Sequence, residues 1–308
     1  MGLFSRRPRP DSRPDDAFPF LSTEEASHLR GLVLTTFAER GIEVSLHPDY
    51  VEDDAGTQYG LANLAATCHQ EEAGRWPGLV ADHVRRIVAR MSQPSELDTI
   101  VPEELRRRVY PRLVGRDRAD PRLFSYAREV ADDLVEVLCL DQPDTVAYLT
   151  DKVFPRLGPA GPLYDAARQN LREITFDEAE VVPAQDSSFH CVFGDSVFTA
   201  TTALQLGSIA DAVGDPIDPE RGAFFVVACR NQVAFHPWRG DDAWATVFSG
   251  LLRWAELGFS DGAGPVSPEL YWWRPSGIEQ LSRRNDVGEV SVELSGDLAE
   301  LIEAAGGG

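Results

Sequence analysis

The chain has 308 residues, 43% of them hydrophobic, and a formal net charge of −21 from 29 basic and 50 acidic side chains. That composition can bury the cores of two modest domains or one large one, and it excludes a disordered polymer. The acidic excess repels phosphate backbones and excludes a general nucleic-acid binder, while it favours solubility and a basic protein partner.

Lys152 is the single lysine and every other basic residue is arginine. This is the bias of a GC-rich, bacterial genome, so an arginine alone does not signal anion binding. Cys68, Cys139, Cys191 and Cys229 form no CxxC pair and sit in apolar contexts. They read as small buried hydrophobes in a reducing, cytoplasmic compartment. No apolar run reaches the roughly 18 residues of a membrane span, and MGLFSRRPRP lacks the apolar core of a secretory leader.

In chain order, residues 1–18 are rich in proline and charge and read as a flexible tail. The run STEE, from Ser22 to Glu25, is a capping box, and Leu29, Leu32, Val33 and Phe37 recur at helical spacing to Arg40. IEVSLHPDYVEDDAG reads as a strand, a proline turn and a second extended piece. YGLANLAATCHQEE is a helix, and Pro77 opens another whose stripe is Val80, Val84, Ile87, Val88 and Met91. A third helical piece ends near VYPRLVG. GRDRADP (115–121) is charged and turn-rich and marks a domain boundary.

Beyond it, Asp120 and Pro121 read as a helix start, with Leu123, Phe124, Ala127, Val130 and Leu134 facing a core. A strand–turn–strand–helix unit then occurs three times. Its hairpins are VEVLCLD with TVAYLT, SFHCVF with VFTAT, and AFFVVAC with VAFHPW. The prediction is α+β: antiparallel hairpins alternating with helices, the helices on one face of the sheet. The segments are a tail at 1–18, a mainly helical region with a short hairpin at 19–115, and an α+β domain at 116–305.

Motifs for chemistry are missing. No glycine-rich phosphate loop, no zinc spacing among the six histidines and no nucleophile elbow occurs, so no catalytic, cofactor or metal residue is assigned. HPDYVEDD, with His47, Asp49 and Asp53, is the densest cluster and reads first as a solvated acidic turn. His190 and Cys191 are consecutive on a strand, so alternation sends them to opposite faces. Trp254 falls off the stripe of its helix. Trp272 and Trp273 are consecutive, so on a strand one of them must face away from the core. With Arg230 and Asn231 at a hairpin tip, these tryptophans are the candidate partner contacts.

LVEVLCLDQPDTVAYLT, the helix with Ala167, Asn170 and Leu171, GDSVFTATTAL and VVACRN together resemble the YtpQ-like family of bacterial proteins over residues 120–260. The resemblance implies a cytosolic family without an established activity and brings no catalytic residue. The reading is a non-catalytic protein–protein interaction module of immunity or adaptor type. The alternative is a hydrolase or transferase built from His47, Asp49, Asp53 and Arg230; a third is a component of a larger assembly.

Overall fold

A computed structural model describes residues 13–15, 17–52, 58–91, 96–142, 145–240, 244–262, 264–285, 288–294 and 296–306. The chain divides into two units, residues 1–96 with 260–264 and residues 97–259 with 265–308.

In the first unit, α1 (Thr23–Ala38) starts at the Ser22 capping box, whose side chain accepts from the Glu25 backbone. A small antiparallel sheet follows, β1 (Ser45–Leu46), β2 (Tyr50–Glu52) and β3 (Gln58–Gly60), then α2 (Ala62–His69) and α3 (Trp76–Met91). Leu29, Val33 and Phe37 of α1 bury against Leu64 and Cys68 of α2 and Val80 and Val84 of α3. The expected tail is shorter than 18 residues. Phe18 is buried in this core, and Asp15 accepts from the Ala17 and Phe18 amides and, at 2.8 and 2.9 Å, from both ends of the Arg30 guanidinium. Arg30 also donates to the Pro48 carbonyl at 2.8 Å.

Those Arg30 bonds hold the Asp15 carboxyl below the usual carboxylate range. A depressed folded-state pKa contributes stability that is present above the unfolded value, about 3.9, and lost as pH falls through the folded value. Asp15→Asn is therefore expected to speed hydrogen exchange of the α1 amides at pH 6, corresponding to roughly 1–2 kcal/mol of lost stability. Below about pH 4 the difference between wild type and variant is expected to shrink towards zero.

The second unit holds two sheets. Short α4 (Glu96–Thr99) and α5 (Pro102–Arg108) lead into β4 (Val109–Gly115), which pairs along its whole length with β6 (Leu134–Gln142). β5 (Arg128–Ala131) and β7 (Thr145–Tyr148) complete this small sheet. After α6 (Phe154–Leu157), helix α7 (Ala160–Leu171) covers one face, with Leu163, Tyr164 and Ala167 against Val109, Leu138 and Leu140. Arg168 of α7 donates to both oxygens of Glu136 on β6 at 2.7 Å, and Tyr164 donates to the Glu136 carbonyl.

The larger sheet runs β13-β12-β10-β11-β9-β8, all antiparallel. Its strands are β8 (Glu178–Ala184), β9 (Ser187–Phe193), β10 (Ala223–Val226), β11 (Gln232–Pro237), β12 (Leu270–Arg274) and β13 (Gly277–Gln280). A 3-10 helix (Thr199–Gln205) and α8 (Leu206–Val213) lie between β9 and β10, and α9 (Trp244–Asp261) follows β11. The hairpin β14 (Ser282–Arg284) with β15 (Val290–Val292) and α10 (Gly296–Gly306) end the described chain. On one face of the large sheet, Val247, Phe248 and Leu251 of α9 pack with Leu298 of α10. On the other, Leu206 and Ile209 of α8 pack together with Leu113 and Leu134 of the small sheet.

The fold is α+β, but both faces of the large sheet are covered, not one. That explains why every residue of β10 and β11 is buried and why β10 and the Val233–Phe235 centre of β11 read as apolar runs without polar alternation. Three local expectations change. β4 pairs with β6, so the boundary falls before Leu97 rather than at 115–121. Residues 120–127 form hydrogen-bonded turns, with the Leu123 and Phe124 amides on the Asp120 carbonyl, instead of a helix. β9 pairs backwards with β8 about Gln185 (φ 50°), and GDS leads into the 3-10 helix rather than a second strand.

Candidate functional site

The small sheet presents its second face through alternation. Val109, Pro111 and Leu113 are buried, while Tyr110 and Arg112 are half-buried. Tyr110 and Tyr148 both pair with Cys139 of β6, and Arg112 pairs with Val137, two positions along. Arg112 and Tyr148 thus meet diagonally across β6. The Arg112 guanidinium stands over the Tyr148 ring, 5.4 Å from its centroid. Phe124 meets the same ring edge-on at 6.0 Å. Tyr148 nevertheless keeps 37% of its surface in solvent, and Leu123, beside Phe124 in the chain, keeps 39%.

Arg230 arrives from the β10–β11 turn. That turn is pinned, since its Arg230 and Asn231 carbonyls accept from the Ala200 and Gly194 amides at 3.0 Å. The next residue of the 3-10 helix, Thr201, accepts from the Leu113 amide through its hydroxyl at 3.1 Å. Consecutive residues, Ala200 and Thr201, therefore tie the Arg230 turn to the strand that carries Arg112.

Arg112 and Arg230 make no ion pair or hydrogen bond with another described residue. Burial, and then the nearby Arg112 cation, lower the Arg230 pKa. Desolvation pushes the Tyr148 hydroxyl up to about 12, against the pull of Arg112, Arg118 and Arg230. With 50 carboxylates for 29 cations, neighbouring arginines without an acidic partner are not a matter of supply. A partly desolvated guanidinium lacking an anion is costly. The arrangement can receive an oxyanion, because each guanidinium presents a planar fork of donors.

Thr201 is 1% exposed and is the hinge of this arrangement. Thr201→Val keeps the shape and removes the acceptor, leaving the Leu113 amide unsatisfied. A loss of about 1–2 kcal/mol is expected, read from the shift of the urea midpoint.

The other residues singled out by sequence lie elsewhere. Asn231 is exposed, and its side-chain oxygen accepts from the Cys229 thiol at 3.0 Å, which holds the turn. Trp272 is buried on the α9 side and donates to the Arg221 carbonyl at 2.8 Å. Trp273 packs on the opposite core and lies over Gly207 of α8, where an added Cβ would come within 3.3 Å of its ring. Trp254 is half-buried and meets Phe189 and Phe193 edge-on. Because both faces of the sheet are covered, the expectation that one of Trp272 and Trp273 faces away from a core is corrected: each packs against a core of its own.

His47 stacks on Tyr50 at 4.2 Å in the first unit, where Asp49 is exposed; Arg230 belongs to the second unit, and Asp53 lies outside the described residues. No group of three or more His, Cys, Asp or Glu residues placed to hold a metal ion occurs among the described residues. His190 stacks on Phe235 in one core, while Cys191 enters the other. His190 bonds Asp215 at 2.8 Å, and Asp215 also pairs with Arg239, which closes that cluster as an ion pair. All four cysteines are free and buried, with Cys68 raised to about 11 and Cys139 to about 12 by desolvation. Such thiols are poor nucleophiles.

No described helix is long and apolar enough to cross a membrane. Comparison with protein-family models, with curated proteins and with solved structures finds no match.

Proposed function

We propose that the protein is a non-catalytic protein–protein interaction module that docks a partner on the second face of its small sheet. The observation that carries this reading is the patch of Arg112, Arg230 and Tyr148, with Leu123 at its margin. It combines half-buried guanidiniums that have no acidic partner among the described residues and an exposed aromatic ring, the side chains that most often dominate interface energies. The segments tied by Ala200 and Thr201 are held before any partner arrives, so little ordering entropy is spent on binding.

The net charge of −21 favours a partner whose body is basic, because the long-range field steers association. A cytoplasmic setting and a YtpQ-like relationship are consistent with this role, since that resemblance supplies no catalytic residue. The reading is tested by affinity capture from the native extract with wild type and with a Leu123→Ala, Tyr148→Ala variant of unchanged melting midpoint. A stoichiometric partner held by wild type and lost by the variant is expected. Equal capture by both would remove the reading.

A further inference from the structure

We propose that Arg112 and Arg230 together hold the carboxylates of a short acidic segment of the partner, whose neighbouring apolar side chain rests on Tyr148. This rests on the interaction reading and adds the chemistry of what docks. Three observations point to it. The Arg112 guanidinium lies 5.4 Å over a ring that is 37% exposed, so charge recognition and apolar contact are offered side by side. Ala200 and Thr201 lock the two arginine-bearing segments to each other. Neither arginine has an acidic partner among the described residues.

The occupant's chemistry follows from what else surrounds the pair. A free inorganic anion would satisfy the guanidiniums but leave Tyr148 and Leu123 uncovered. An extended polyanion would meet a chain of net charge −21 and be repelled beyond the patch. A short peptide with one or two carboxylates next to an apolar residue satisfies both parts of the site. The partner's body and its docking segment then carry opposite signs: the long-range field selects a basic protein, and the desolvated arginines select an acid upon it.

The probe is a labelled glycine–serine dodecapeptide carrying two glutamates beside one leucine, compared with its glutamine-for-glutamate counterpart, by fluorescence anisotropy with the full chain. The variants are Arg112→Gln, Arg230→Gln and, as a control, Arg122→Gln, whose exposed guanidinium already has Asp120. The glutamate peptide is expected to bind about tenfold or more tightly than the glutamine peptide. Each of the first two variants should weaken it by a similar factor, while the control leaves it unchanged. Arg230→Gln should keep or raise the melting midpoint, because it removes a like charge from beside Arg112, so lost binding is not lost folding. Equal binding of both peptides would overturn the proposal, as would arginine variants that bind normally. So would inorganic phosphate binding through these arginines while the glutamate peptide does not. If the arginine variants still capture the native partner while Leu123→Ala, Tyr148→Ala does not, the acidic occupant fails and the interaction reading stands. If all of them capture it, the interaction reading fails as well.

Discussion

Gly222→Ala is expected to cost the second unit about 3 kcal/mol or more, enough to leave a large fraction of a marginally stable domain unfolded. Gly222 precedes β10 with φ +79°, in the region an L side chain enters only under strain. Its carbonyl accepts from the Trp238 amide at 3.0 Å, and its own amide donates to Asp218 at 2.7 Å, so the backbone cannot turn away without breaking both bonds. A Cβ would stand 2.2 Å from the Trp273 carbonyl oxygen and 2.8 Å from the Trp272 indole nitrogen. The first of these is backbone of β12, hydrogen-bonded between β13 and β10, and cannot yield by a rotamer change. Gly214→Ala is the control. It shares the positive φ, at +81°, but nothing lies within 4 Å of its Cβ, so only the conformational strain of about 1–2 kcal/mol applies. Equal losses from the two variants, measured by denaturant midpoints, would contradict the packing argument.

Removing Arg168 alone is expected to hurt more than removing its whole ion pair. The Glu136 side chain is 1% exposed and has both oxygens on Arg168, which is itself 38% exposed. Arg168→Met strands a carboxylate under α7. The usual cost of breaking a buried pair is about 3–5 kcal/mol, reduced here to about 2–3 because water reaches the arginine side. Glu136→Leu with Arg168→Met removes both charges, and the double variant is expected within about 1 kcal/mol of wild type. A double variant weaker than the single would show that the pair itself stabilises the sheet.

The parts legible in the sequence are those governed by local chemistry. The Ser22 capping box, Pro77 near the start of α3 and the hairpins at 134–148 and 223–237 all emerge from neighbours within a few residues. Arg230 and Asn231 are identifiable as turn residues for the same reason. Arg112 and Tyr148 are not, because their meeting is set by the β4–β6–β7 register over a separation no local pattern encodes. A signal does exist in VYPRLVG, where Val109, Pro111 and Leu113 alternate with Tyr110 and Arg112 at the strand period. It is hidden behind the helical EELRRR that precedes it. The tryptophans mislead for a physical reason. A doubly covered sheet can bury consecutive aromatics on opposite sides, and the sequence of one strand does not say how many layers will cover it.

The arginine–tyrosine face of the small sheet is the proposed docking surface. Site-specific photo-crosslinking in native extract tests it most directly, with a photoreactive phenylalanine in place of Leu123 and, as a comparison site, in place of Val181, which is 61% exposed on the edge strand β8. One discrete adduct is expected from position 123 and none from position 181, with an aspartate or glutamate beside an apolar residue in the crosslinked peptide. No adduct at 123, or the same adduct from both positions, would rule out docking on this face.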